Sequence, residues 1–123
     1  MLVKQLSELA GIRAADYTEL REILHPERDA VSLRYSLAHA VVAVGASSLR
    51  HSLKTSEVYY ILSGSGIMHV SDEARPVGPG DAVYIPPDAV QWLENTGSEP
   101  VRFLCIVDPA WREEDEQAVG GGH

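Results

Sequence analysis

Glycine and proline recur at short intervals in the sequence after residue 44, and this spacing constrains the fold more than any other feature. Most of the ten glycines and seven prolines lie in this part of the chain. Between them stand short runs rich in valine, isoleucine, tyrosine and tryptophan. Short β-favouring runs separated by turn residues are typical of an all-β barrel or jelly roll. We therefore expect an all-β fold.

The apolar and aromatic runs give the expected positions of the strands. In the first third, residues 4–10 suit a helical turn, residues 18–24 suit a strand and residues 25–29 suit a loop. We expect a loop at 71–80, a hairpin turn at 63–66, and further strands over 31–44, 57–62, 67–70, 82–85, 90–95 and 101–107. The runs 31–44 and 101–107 are apolar on both parities, so both of their faces should be covered. We expect a homodimer, unless the N-terminal segment covers these faces.

The chain of 123 residues has room for a single domain. We expect an N-terminal extension over residues 1–34 that packs on a barrel over residues 35–110. Residues 111–123 should form an acidic, flexible tail in which Trp111 anchors the chain to the barrel or to a second subunit.

Charge and cysteine content exclude several classes of protein. Ten Lys and Arg against eighteen Asp and Glu give a formal net charge of −8, which disfavours binding to nucleic acid or to an anionic membrane. Small molecules or proteins are the expected partners. The single cysteine, Cys105, cannot form a disulfide within the chain. No apolar run approaches the about 18 residues of a membrane span, so we expect a cytoplasmic protein.

Two spaced sets of residues carry a resemblance to a known family. The first set is Gly45, His51, Glu57 and Gly64, and the second is Gly80, Pro86 and Asn95. Together they resemble the two conserved motifs of the cupin superfamily, over roughly residues 35 to 107. The resemblance implies a double-stranded β-helix, the jelly-roll barrel of the cupins, with an N-terminal strand extension.

Three positions depart from the cupin pattern. Leu53 and Gln91 stand where the family has histidines that bind a metal, and Asp88 replaces a glycine of the second motif. Asp tolerates the turn conformation that this glycine position requires. The departures therefore leave the fold intact but make the metal-ligand set incomplete.

The resemblance implies that His51, Glu57 and Gln91 are the ligands of a divalent metal. One nitrogen and two oxygens form a harder set than the family's, so among Mn²⁺, Fe²⁺, Ni²⁺ and Zn²⁺ the harder ions are favoured. Alternatively, His51 is hydrogen-bonded in a loop, and Gln91 is an uncharged pocket group that bonds a ligand or Glu57. Tyr59 shares a strand face with Glu57, where it either orients a substrate or packs in the core.

Two further histidines are less probable ligands by strand alternation. His39 and His69 should point outward, because Ala40 and Met68 next to them occupy inward positions. A β-bulge shifts this alternation by one residue, so His39 is kept as a candidate for the metal or the pocket.

Three functions remain open at this stage. The first is a metal-dependent enzyme acting on a small oxygenated metabolite, as cupin dioxygenases, decarboxylases, isomerases and lyases do. The second is a non-catalytic module that binds or senses a small molecule without a functional metal. The third is a metal-free enzyme of the sugar-epimerase kind, in which His51 and Tyr59 transfer protons.

Overall fold

The structure is a computed structural model that describes residues 1–13 and 18–119. Single turns of 3₁₀ helix lie at Leu6–Glu8 and Glu113–Asp115. The strands are β1 (Ile12–Arg13), β2 (Thr18–Leu24), β3 (Ser36–Val42), β4 (His51–Leu53), β5 (Ser56–Ser63), β6 (Gly66–Val70), β7 (Glu73–Val77), β8 (Ala82–Ile85), β9 (Gln91–Asn95), β10 (Val101–Asp108) and β11 (Glu116–Ala118). In the described ranges, no helix is long and apolar enough to cross a membrane.

These strands form two antiparallel sheets. One sheet has the order β1-β2-β3-β10-β5-β8 and the other has the order β11-β4-β9-β6-β7. The buried hydrophobic side chains of both sheets meet in one cluster, which includes Val42, Ile61, Leu93, Val101 and Phe103. This arrangement confirms the expected all-β jelly-roll barrel.

Strand alternation decides which side chains reach the interior. On β5, Glu57, Tyr59 and Ile61 are buried, whereas Tyr60 and Leu62 between and beyond them are each 43% exposed. Because successive side chains of a strand point to opposite faces, the odd-numbered residues of β5 face the other sheet. The interior of the barrel therefore receives one carboxyl and one phenol from this strand.

The three motif glycines adopt a backbone conformation that other residues rarely use. Gly45, Gly64 and Gly80 have φ angles of +76°, +82° and +88°. At Gly64 a Cβ atom would also lie 2.4 Å from the carbonyl oxygen of Pro100. The turn between β5 and β6 therefore needs glycine both for its φ angle and for the close approach of the chain.

Two strands lie where the sequence pattern does not predict them. The expected loop at 71–80 is wrong in part, because β7 (Glu73–Val77) pairs with β6 there. In the expected tail, β11 pairs with β4. The strand expected over 31–44 is shorter and begins at Ser36. The expected flexible end at residues 120–123 lies outside the described residues.

Both ends of the described chain are tied to the barrel. β2 pairs with β3 and so extends the six-stranded sheet. The buried His25 ring hydrogen-bonds through Nε2 to the carbonyl of Trp111 at 2.8 Å, and the amide of Trp111 donates to Ser36 Oγ at 2.9 Å. The segment at Trp111 is thus anchored to both β3 and the loop after β2.

Candidate functional site

Three polar side chains form a hydrogen-bonded chain inside the barrel. The Tyr59 hydroxyl donates to Gln91 Oε1 at 2.8 Å, and Gln91 Nε2 donates to Glu57 Oε1 at 2.8 Å. Glu57, Tyr59 and Gln91 are 6%, 4% and 0% exposed. Tyr59 and Glu57 come from one face of β5, and Gln91 begins β9 in the opposite sheet. We call these three residues the interior triad.

Gln91 holds the interior triad in one orientation. Its amide oxygen accepts from Tyr59, and its amide nitrogen donates to Glu57. An amide with a donor at one end and an acceptor at the other cannot be reversed without losing both hydrogen bonds. The hydrogen bond between Gln91 and Glu57, one of the alternatives that the sequence leaves open, is present, and Tyr59 extends it.

Burial raises the pKa of Glu57 to about 7. The hydrogen bond from Gln91 lowers this pKa in part, and the negative charge of Glu116 raises it further. A carboxyl with this pKa is present in both its neutral and its ionised form near neutral pH. Glu57 can therefore donate or accept a proton under these conditions, as a general acid or base must.

Cys105 lies beside the interior triad as a neutral thiol. It is the ladder partner of Tyr59 and is buried. Burial, together with the nearby Glu57 carboxyl, raises the pKa of Cys105 well above its ordinary value. Because the thiolate is the reactive form, this thiol is inert as a nucleophile.

His51 lies on β4 and is the ladder partner of Gln91, so it is next to the interior triad. Its Nδ1 is 2.7 Å from the carbonyl oxygen of Leu49. Since a carbonyl only accepts, Nδ1 donates the hydrogen bond to it. The ring is only partly buried, unlike the side chains of the interior triad.

The side chains at the expected metal position do not fit a resident metal as they are arranged. In residues 1–13 and 18–119, no group of three His, Cys, Asp or Glu side chains is placed to hold one. The buried Leu53 supplies no ligand atom, and Gln91 Oε1 accepts from Tyr59. A metal at His51, Glu57 and Gln91 remains a prediction for metal analysis.

His39 lies on the outer face of the six-stranded sheet, away from the interior triad. It alternates with the inward-facing Ala40, and its ladder partners are Leu104 and Arg21. The ring is 4% exposed, and its Nδ1 has no hydrogen-bond partner among the described residues. Burial lowers the pKa of His39, and the charges of Arg102 and Arg21 lower it further.

His69 belongs to a stack on the outer face of the five-stranded sheet. Its ring lies 4.0 Å from that of Trp92, at an interplanar angle of 5°, and its Nε2 pairs with Glu94 Oε1. The guanidinium of Arg50 lies 4.0 Å from the Trp92 ring centre. These contacts fix the loop before β4 against β9 and β6.

The comparisons with known proteins identify the family. The profile of the cupin domain, Cupin_2, matches residues 38–107. This chain belongs to the cupin family. The matched region contains Glu57, Tyr59 and Gln91, so the interior triad stands within the cupin domain.

Relatives of this cupin support the fold along most of the chain. The uncharacterized protein MJ1618 of Methanocaldococcus jannaschii is 41% identical over 105 residues, which are 85% of this chain and 83% of that protein. The polyketide cyclase RemF from Streptomyces resistomycificus has a TM-score of 0.80 and 19% identity, and the match covers 97% of this chain and 85% of RemF. A predicted oxalate decarboxylase from Thermotoga maritima has a TM-score of 0.78 and 25% identity, over 88% and 99% of the two chains.

Proposed function

We propose that this cupin binds a small oxygenated molecule in the barrel and exchanges a proton with it through Glu57, without a resident metal. The observation that carries the proposal is the interior triad, in which a buried carboxyl with a pKa of about 7 is held by Gln91 and Tyr59. A carboxyl tuned to this range is suited to proton transfer at neutral pH. The name of the Thermotoga maritima relative, a predicted oxalate decarboxylase, is consistent with a small oxygenated substrate.

Each member of the interior triad has a separate task in this proposal. Neutral Glu57 donates its proton to a carbonyl or hydroxyl oxygen, and the ionised form takes a proton from a carbon next to a carbonyl. Gln91 fixes the orientation of the carboxyl. Tyr59 can turn its hydroxyl from Gln91 to the ligand and stabilise the developing oxyanion. The apolar walls, including Phe103 at 4.6 Å from the Tyr59 ring, limit the access of water.

The proposal is tested first without a substrate. Infrared difference spectra of the full chain between pH 5 and pH 9 should show a buried carboxylic acid band that titrates near pH 7. The band should be lost in Glu57→Gln and kept in Glu113→Gln, the matched control at an exposed glutamate. Titration of Glu57 near its ordinary pKa of 4.5 contradicts the proposal.

Metal content is measured on the same untagged protein. Absence of stoichiometric metal after loading with Mn²⁺, Fe²⁺, Ni²⁺ or Zn²⁺ supports the proposal. A stoichiometric ion that is lost in both His51→Ala and Gln91→Ala overturns it in favour of a metal-dependent cupin with His51, Glu57 and Gln91 as ligands.

Catalysis is separated from simple binding with phenylpyruvate, which has an acidic CH₂ beside a carbonyl. In D₂O, proton NMR should show CH₂ exchange at least about a hundredfold above buffer. Glu57→Gln should remove this enhancement, and Glu113→Gln, at an exposed glutamate, should retain it. Binding of phenylpyruvate without enhanced exchange favours the second candidate, a non-catalytic binding cupin. The mutual hydrogen bonds of the closed interior triad are the observation that favours this candidate.

We propose in addition that two copies pair through the outer face of the six-stranded sheet. Tyr60 and Leu62 on β5 are each 43% exposed there, and Leu104 and Ile106 on β10 continue the apolar surface. Light scattering should give twice the chain mass, and Leu62→Asp should give the mass of one chain.

The single buried Cys105 supports a cytoplasmic location, where thiols remain reduced.

A further inference from the structure

The two sheets separate on one side of the barrel, between the edge strands β7 and β8. A cavity of about 590 Å³ lies in this gap. Its floor is apolar, because Met68, Val70, Val77 and Val83 line it and also pack against the core cluster. We call this cavity the side cleft. Its size is within the usual range of small-molecule sites.

Strand β7 places two charged, exposed side chains at the rim of the side cleft. Arg75 and Glu73 are the ladder partners of Met68 and Val70, so they share the inward face with them. Both charged residues line the cavity. In the described part of the chain, neither side chain forms an ion pair. An arginine at the rim of a cavity that is not engaged by a carboxylate of its own chain can bind the anion of a ligand.

The floor of the side cleft adjoins the interior triad. Val70 is the ladder partner of Gln91, and Val83 is the ladder partner of Tyr59. Side chains of such partners have Cβ atoms about 5 Å apart. Two of the residues that line the side cleft are thus neighbours of Tyr59 and Gln91 in the sheets, although the interior triad itself is not part of the lining.

We propose that the side cleft is the ligand site of this cupin and that it accepts a monocarboxylate with an apolar body. The carboxylate pairs with Arg75 at the opening, and the body lies on the valine floor with its other end toward Tyr59. The proposal rests on the proposed function for what happens at Glu57, but binding in the side cleft does not require proton transfer.

The other charges of the side cleft favour one negative charge over two. Glu73 and Asp81 both line it, and the carboxylate of Asp81 accepts from the amide of Gly78 at 2.8 Å. These two carboxylates repel a dianion about twice as strongly as a monoanion, whose single charge can pair with Arg75. Removing the charge of Glu73 should therefore strengthen the binding of a monocarboxylate.

The test uses benzoate and its uncharged analogue benzamide as probes of the full chain. Amide chemical shifts are followed by ¹⁵N–¹H NMR during titration of wild type, Arg75→Gln and Arg34→Gln. Arg34 is the matched control, because its side chain is 79% exposed and pairs with Asp108 at the surface. Benzoate should shift amides of β7 and β8, with an affinity at least about tenfold above that of benzamide.

Arg75→Gln should remove the preference for benzoate over benzamide, and Arg34→Gln should keep it. Glu73→Gln should tighten benzoate binding, and Val83→Trp should abolish it by filling the floor while the NMR spectrum remains that of a folded chain. Equal affinities for the two probes, shifts confined to other strands, or the same loss in Arg34→Gln overturn the proposal.

The same titration on Glu57→Gln separates this inference from the proposed function. Benzoate binding in the side cleft should persist in that variant, because the anion pairs with Arg75. If the infrared titration rules out Glu57 as a proton donor while benzoate still binds through Arg75, the ligand site stands and the proposed reaction fails. Loss of benzoate binding in Glu57→Gln with an otherwise unchanged NMR spectrum overturns the assignment of the site to the side cleft.

Discussion

Two buried titratable side chains lie on opposite faces of the same sheet, and their surroundings differ. Glu57 faces the interior, where Gln91 donates to its carboxyl and Tyr59 continues the hydrogen-bonded chain. His39 faces outward, and its Nδ1 has no hydrogen-bond partner within the described ranges. Both are 6% exposed or less. Burial alone therefore does not distinguish a functional group from a packed one; the hydrogen-bond partners do.

Burial disfavours the charged form of both groups, so it shifts their pKa values in opposite directions. The pKa of Glu57 rises to about 7, and that of His39 falls below its ordinary 6.5. Around His39, Arg102 and Arg21 add to the effect of burial and Glu19 opposes it. The stability that Glu57 contributes should thus decrease as the pH rises, whereas the stability that depends on His39 should decrease as the pH falls.

The largest effect is expected when the interior triad loses its central member. Gln91→Ala removes two buried hydrogen bonds and leaves both Tyr59 and Glu57 without that partner. We expect the free energy of unfolding to fall by about 3 kcal/mol. Urea unfolding at pH 6 measures it. If Gln91→Ala lowers the free energy of unfolding by less than Tyr59→Phe does, the remaining side chains of the interior triad form hydrogen bonds with other partners.

The second effect is a pH dependence of stability that belongs to Glu57. Between its ordinary pKa of 4.5 and about 7, the folded chain retains a proton that the unfolded chain releases. Stability from this group is therefore present below pH 4.5 and decreases as the pH rises to 7, by about 3 kcal/mol in total. The difference between wild type and Glu57→Gln across urea titrations should show this slope, and a flat difference contradicts it.

A smaller effect is expected from Tyr59→Phe, which removes one hydroxyl and keeps the ring beside Phe103. The free energy of unfolding should fall by about 1 kcal/mol, because Gln91 Oε1 loses its donor. Tyr60→Phe is the matched control, since Tyr60 is 43% exposed on the same strand. An equal loss in both variants would remove the distinction between the inner and outer faces.

The smallest effect concerns His39. Its lowered pKa means that the unfolded chain takes up a proton first as the pH falls below 6.5, so stability is lost on the acidic side. His39→Leu should reduce this acid sensitivity and change stability at pH 8 by about 1 kcal/mol or less. A steeper acid transition in the variant than in wild type would contradict this expectation.

The sequence predicts the strands whose residues alternate or are apolar, including the edge strand β8, and it misses the edge strands that are rich in charge. The strand at 82–85 has the predicted bounds. β7 contains Glu73, Arg75 and Pro76, which read as a loop, but an edge strand tolerates charges and a proline because only one side is paired. The charged residues at 113–116 make the sequence around β11 resemble a loop in the same way. Only pairing across the sheet reveals such strands.

For the site, alternation along β5 places Glu57 and Tyr59 on one face, and this can be read from the sequence. The contact of Tyr59 with Gln91 cannot be read there, because it depends on how two sheets are positioned across the interior. The role of Arg75 is hidden for a similar reason. Its inward direction follows from pairing with Met68, and the cavity exists only where two edge strands diverge.

The turn before β9 retains the main-chain form of the cupin motif although its side chains differ. Asp88 adopts a φ of +68°, and its amide donates to the carbonyl of Leu53 at 2.7 Å. This link joins two of the positions that depart from the family pattern, and it uses backbone atoms only. Position 88 needs a residue that tolerates a positive φ, whereas the link accepts any side chain at position 53 that fits the buried site. A designer can therefore change the side chain at position 53 while this main-chain link is kept.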